Sequence, residues 1–194
     1  KLNNHPEYPM LFGKAFGVSQ INTPRLLHAL AQFTNMMVSD RSPYDKYLRG
    51  EAALTALELE GLHTFETKCQ SCHQGVLFTD ETYRNNGIDA SFTTDFGRAR
   101  ITAFDGDIGK FHVPSLRNVA ITAPYMHNAK FATLRQVLDH YSNGVLDSPT
   151  LDPLLKQGGQ LGIPLTEAEK EALMAFLKTL TDKDFTQDER FFKG

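Results

Sequence analysis

Beyond Cys69 and Cys72 the 194-residue chain has no cysteine, and it has no tryptophan at all. The missing second cysteine pair argues against zinc, because a Cys-x-x-Cys half-site wants two more ligands nearby. It also leaves no disulfide framework, since a bridge across two intervening residues closes a very short ring and staples little. A thioredoxin-type dithiol sits in a βαβ setting, and no such setting is legible. No segment has a convincing strand pattern, and nothing repeats internally. No apolar run approaches the roughly 20 residues of a membrane span. Basic runs are lacking too, and the formal net charge is only −3, so no nucleic-acid footprint is expected. The opening KLNNHPEYPM is neither a start methionine nor a signal peptide, and the chain reads as a piece of something longer.

What is present is one short motif, KCQSCHQG, from Lys68 to Gly75. Cys-x-x-Cys-His is the pattern of covalent c-type haem attachment. The thiols of Cys69 and Cys72 would add to the haem vinyl groups. The short tether would then hold His73 under the iron, where it supplies an imidazole nitrogen.

The remainder reads mostly as helix with long loops. In TPRLLHALAQFTNMMVS, Thr23 is a candidate N-cap and Pro24 the first helical residue. Leu26, Leu27, Leu30, Phe33, Met37 and Val38 form an apolar stripe along it. Thr55-x-x-Glu58 is a capping box opening a helix that runs into the haem motif, with Gly61 and Phe65 on it. From about Gly75 to Val113 the chain is loop-rich, a length that suits wrapping a ligand. Thr133 caps a short helix that Asn143-Gly144 stops. Thr166-x-x-Glu169 opens a strong last helix with Leu173, Phe176, Leu177 and Leu180 on its apolar face. This order suggests an all-α, cytochrome c-like domain, its long loops around a covalently bound haem. In such a domain the first and last helices cross closely, and Gly61 would permit the approach near Phe176.

Candidates for the position opposite His73 stay open on spacing alone. His5 and His28 precede the motif, and His63, six residues before Cys69, is poorly placed for the far face. His112, Met126, His127, His140 and Tyr141 all follow at usable distances. Each also has an ordinary packing role to fill: Met126 between aromatics as core filler, Tyr141 as a helix-borne core residue.

The segment FHVPSLRNVAITAPYMHNAKFATLRQVLDHY, Phe111 to Tyr141, resembles the bacterial di-haem cytochrome c peroxidase and MauG superfamily. The likeness extends upstream through LAQFTNMMVSDRSPYDKYLRGEAALTALELEGLHTFETKCQSCHQGVLFTD and to QLGIPLTEAEKEALMAFLKTLT near the end. The resemblance implies that residues 51–194 are a C-terminal haem domain. Residues 1–50 would be a helical lead-in from an N-terminal haem domain that is missing, along with the tryptophan usually lying between the haems. It implies one haem c in this chain and a second in the full-length protein. In the peroxidases a methionine ligates this iron fourteen residues after the histidine of PY-x-H. Counting from His127 lands on Tyr141, as in the MauG arrangement, with Met126 the rival and His140 a third choice. A phenolate should favour ferric and higher states, whereas a thioether raises the potential.

The resemblance further implies calcium between the domains, held partly by the carbonyls of Thr122 and Pro124, and propionate or structural roles for Arg98 and Arg117. Ala129 stands where the family usually has glycine. The implied activity is reduction of hydrogen peroxide with electrons from a small cytochrome c or cupredoxin, in the periplasm or otherwise outside the cytoplasm, and a homodimer is compatible with it. The competing readings are MauG-like oxidation of a partner protein and a plain mono-haem electron carrier.

Overall fold

The computed structural model describes residues 1–191; the last three residues of the expected 51–194 domain lie outside them. The chain divides into two compact units, Lys1–Ser39 and the remainder from Asp40. The second begins ahead of residue 51. Backbone and side-chain bonds draw in the segment after Asp40: Arg41 N–H donates to Asp182 at 3.0 Å, and Arg117 grips Asp45.

The first unit holds α1 (Tyr8–Phe16) and α2 (Thr23–Met36). Asn3 clips its loop to Ile21, donating to the Ile21 carbonyl at 2.9 Å and accepting from its N–H at 2.8 Å. The N-cap of α2 is Asn22, one residue earlier than the sequence suggests, because its side chain accepts from Arg25 N–H at 3.1 Å. The apolar stripe is present, but Leu27, Leu30, Phe33, Met37 and Val38 stand exposed.

The second unit comprises α3 (Pro43–Leu48), α4 (Ala56–Lys68), β1 (Tyr83–Arg84), α5 (Ala99–Thr102), β2 (Phe111–His112), α6 (Leu134–Asp139), β3 (Lys156–Gln157), β4 (Gln160–Leu161), α7 (Glu167–Thr179) and α8 (Lys183–Thr186). Helices dominate. The strands form two antiparallel pairs, β1 with β2 (Tyr83 opposite His112) and β3 with β4 (Lys156 opposite Leu161). Two residues are too few to write the alternation that marks a strand in sequence. The capping boxes at Thr55–Glu58 and Thr166–Glu169 are both formed, and Ser42 with Asp45 and Thr133 with Gln136 make two more.

The core lies where α4 crosses α7. Phe65, Leu173, Phe176, Leu177 and Leu180 are buried there with Phe78 and Leu138, and the rings of Phe65 and Phe176 sit 5.2 Å apart. Gly61 is the contact point. A Cβ built on it would run into the Ala172 carbonyl and come within 2.8 Å of the Phe176 Cβ, so only glycine lets the helices approach this closely. The crossing fixes the C-terminal end of α4, and therefore the residues that follow it.

Candidate functional site

Cys69 is the C-cap of α4, its N–H donating to the Phe65 carbonyl at 2.8 Å. The chain then turns on itself: Cys72 and His73 N–H groups both donate to the Cys69 carbonyl, at 3.2 and 3.1 Å. Both cysteines are unpaired. Burial pushes the Cys69 thiol up to about 12, with Cys72 adding to the shift. Burial also raises Cys72, against the pull of nearby Arg84. A redox-active dithiol needs a lowered pKa, so these two are poor exchange thiols.

His73 is held by its own loop. Its Nδ1 lies 3.0 Å from the Phe78 carbonyl, to which it donates as Nδ1–H. Phe78 adopts a left-handed backbone, φ 55°, rare for a bulky residue. The turn is locked on either side by Thr79 N–H on the Gln74 carbonyl and by Thr79 Oγ1 donating to the Val113 carbonyl at 2.6 Å. With Nδ1 protonated, the neutral ring carries its lone pair on Nε2. Burial lowers the His73 pKa, more than the Phe78 and Pro114 carbonyls and Asp80 raise it, which favours the neutral form.

Tyr141 comes from a different kind of element. After α6 the helix widens into a π-helical turn, His140–Gly144, a distortion frequent at functional sites. The Tyr141 ring packs against Val145, Leu151 and Leu155. Burial raises its phenol to about 12, while a hydrogen bond from the Asn86 side chain pulls the other way; both cysteines lie near enough to act on it electrostatically. The structure thus brings Cys69, Cys72 and Tyr141 into one neighbourhood. Met126 is close by: its Sδ accepts from Asn86 Nδ2 at 3.2 Å, and its backbone is left-handed at φ 71°. His140 is buried, with its Nε2 3.0 Å from the Asn86 carbonyl.

The other candidates sit elsewhere or are occupied. His127 stacks flat on Phe111, centroids 3.6 Å apart, and His112 pairs with Glu81 at 3.2 Å. His63 is exposed on α4. Arg117 grips Asp45 with both terminal nitrogens, at 2.9 and 3.0 Å, and gives Nε–H to the Val76 carbonyl. That is the structural alternative to a propionate contact. Arg98 lies 4.0 Å over the Tyr83 ring and 3.4 Å from Asp107. Thr122 and Pro124 are exposed, with Thr122 Oγ1 donating to the Val119 carbonyl. Ala129 has φ 56°, the left-handed backbone that glycine adopts without penalty.

Two free thiols on one turn, a neutral imidazole with Nε2 available, and an oxygen or sulfur donor in the same neighbourhood could hold a c-type haem. Among the described residues no group of three or more His, Cys, Asp or Glu gathers as a metal site of its own. No helix of the described residues is long and apolar enough to cross a membrane.

A family model described as di-haem cytochrome c peroxidase matches residues 1–53. The cytochrome-c peroxidase IdrP2 of Denitromonas iodatirespirans is 31% identical over 93% of this chain and 55% of its own length. The methylamine utilization protein MauG of Methylorubrum extorquens is 33% identical over 93% of this chain and 51% of its own. The chain belongs to the di-haem cytochrome c peroxidase and MauG superfamily. Haem is the cofactor this family implies. A crystal structure of a MauG-like protein associated with microbial copper homeostasis superposes with a TM-score of 0.75 at 35% identity, covering 92% of this chain and 63% of that one. The chain spans about half the length of the peroxidase and MauG relatives it matches. Peroxidases and MauG proteins match about equally well, so the overall likeness does not choose between them.

Asn86 and Arg84 escaped the sequence reading. Arg84 bridges Asp80 and Asp152, at 2.6 and 2.7 Å, close to Cys72. Both lie in YRNNG, a polar stretch that reads only as loop. Nothing in its spacing relates it to residues forty or more positions on.

Proposed function

We propose that residues 51–194 form the C-terminal, cytochrome c-like haem domain of a peroxidase-type oxidoreductase acting outside the cytoplasm. Residues 1–50 would lead in from a second haem domain. The observation that carries this reading is the convergence of Cys69, Cys72 and Tyr141, with His73 held as a neutral ligand. Membership of a family whose relatives are named cytochrome-c peroxidase supports it.

When bound, the haem supplies one-electron redox chemistry at its iron. Cys69 and Cys72 would anchor it through thioether bonds, and His73 would offer the Nε2 lone pair. Tyr141, whose phenol is held protonated by burial, would give its oxygen lone pair to the Lewis-acidic iron and lose its proton to water, and the anionic oxygen would favour the ferric state. Thr122 and Pro124 would offer carbonyls to a calcium ion completed by the other domain. Hydrogen peroxide would react at the second haem, with electrons delivered by a small cytochrome c or cupredoxin. Full-length, haem-loaded protein should turn over peroxide with such a donor. Failure to consume peroxide with both haems in place would refute the reading.

Tyr141 favours one second reading, MauG-like oxidation of a partner protein, because an oxygen-ligated haem is better suited to holding oxidising power than to relaying electrons. Peroxide-treated full-length protein should then modify partner side chains; unmodified partners would count against it.

A further inference from the structure

We propose that Asn86 selects the iron ligand opposite His73, holding Met126 and His140 back and so leaving the position to Tyr141. Asn86 is a positioning residue here, and the inference rests on the haem-domain reading above.

One residue ties down two of the three rivals for that position. Its Nδ2 donates to Met126 Sδ at 3.2 Å, and its carbonyl receives His140 Nε2 at 3.0 Å. Its amide has a defined orientation, because Oδ1 accepts the Ile88 N–H at 3.3 Å. That turns Nδ2 toward the sulfur. An N–H there occupies one of the two lone pairs through which Met126 would bind a metal. His140 is tied off at Nε2.

The backbone around Asn86 is clamped, which such selection requires. Asn85 is fully buried and donates to Ser148 Oγ at 3.0 Å and Thr150 Oγ1 at 2.9 Å, while its carbonyl takes the Asp152 N–H. Gly87, at φ 67°, fits where a Cβ would come within 2.6 Å of Val145 Cγ1, and its carbonyl takes the Leu146 N–H at 2.9 Å. Asn86 is therefore pinned on both sides to the segment that follows Tyr141.

The test uses full-length, haem-loaded ferric protein and reads ligation by resonance Raman and electron paramagnetic resonance, with the midpoint potential as a second readout. Wild type should carry the phenolate-to-iron signature. Asn86→Leu removes the Nδ2 donor at similar size, and Asn86→Asp keeps the shape while removing it, so a folding defect in one leaves the other. In either, the methionine-ligated fraction should rise about five-fold, as the loss of one hydrogen bond implies, and the potential should rise with it. Adding Met126→Leu should abolish that rise. A wild type without the phenolate signature would overturn the tyrosine-ligand reading itself. A wild type with it, and Asn86 variants unchanged in both readouts, would overturn the role of Asn86 alone.

Discussion

The two sides of the candidate haem site are built differently. The thiol and histidine side grows out of the helix crossing: Cys69 caps α4, one turn closes on the Cys69 carbonyl, and the Phe78 carbonyl takes His73 Nδ1–H. Its parts lie within ten residues and stand on an apolar core. The tyrosine side is assembled from three distant pieces, Asn86, Met126 and the π-helical turn at Tyr141, joined by polar contacts. One side is rigid because it is packed, the other because it is hydrogen-bonded. Substitutions on the first should therefore cost stability or cofactor attachment, and those on the second should change ligation in a protein that still folds.

The largest effect expected is on attachment. Cys69→Ala with Cys72→Ala should abolish covalent haem, leaving no haem stain on the denatured protein; a stain that persists would break the assignment of the motif. Next is the clasp that joins α3 to the site. Arg117 and Asp45 side chains are 14% and 7% exposed, so Arg117→Ala strands a buried carboxylate and should cost about 3–5 kcal/mol in urea unfolding. The same pair sets an acid limit. Burial would raise the Asp45 carboxyl, but hydrogen bonds from Arg117 and Ser42 more than offset it and hold it below the usual range. Its contribution is thus complete above the unfolded pKa of about 4 and lost as pH falls through the lower folded value. Urea midpoints should drop below about pH 4 in wild type and drop less in the Arg117→Ala variant.

Gly61→Ala drives a methyl into the Ala172 carbonyl and should cost roughly 1–3 kcal/mol. Unchanged stability would mean the crossing is looser than the structure has it. The smallest effect has the opposite sign. Ala129→Gly relieves a left-handed backbone and should stabilise by up to about 1 kcal/mol, with ligation untouched.

This contrast also explains what could be read without coordinates. Cys69, Cys72 and His73 lie within five residues, and Gly61 and Phe176 sit on helices marked by capping boxes, so local pattern revealed the motif and both helices, while their crossing at Gly61 was expected only from the cytochrome c-like fold. Tyr141 was reachable only by counting from a family segment, because nothing local separates it from a packing residue. The π-helical turn was hidden, since Asn143-Gly144 announces a helix end but not the widening before it. Asn86 was invisible: its importance lies in partners forty and fifty-four residues away. The short strands were missed for the simpler reason that two residues carry no period.

Tyr141→Phe tests the central claim most directly. In full-length ferric protein the account predicts loss of the phenolate-to-iron vibrations and a raised midpoint potential, with the haem still covalently held by Cys69 and Cys72. A variant whose ferric resonance Raman spectrum and potential match wild type would contradict it.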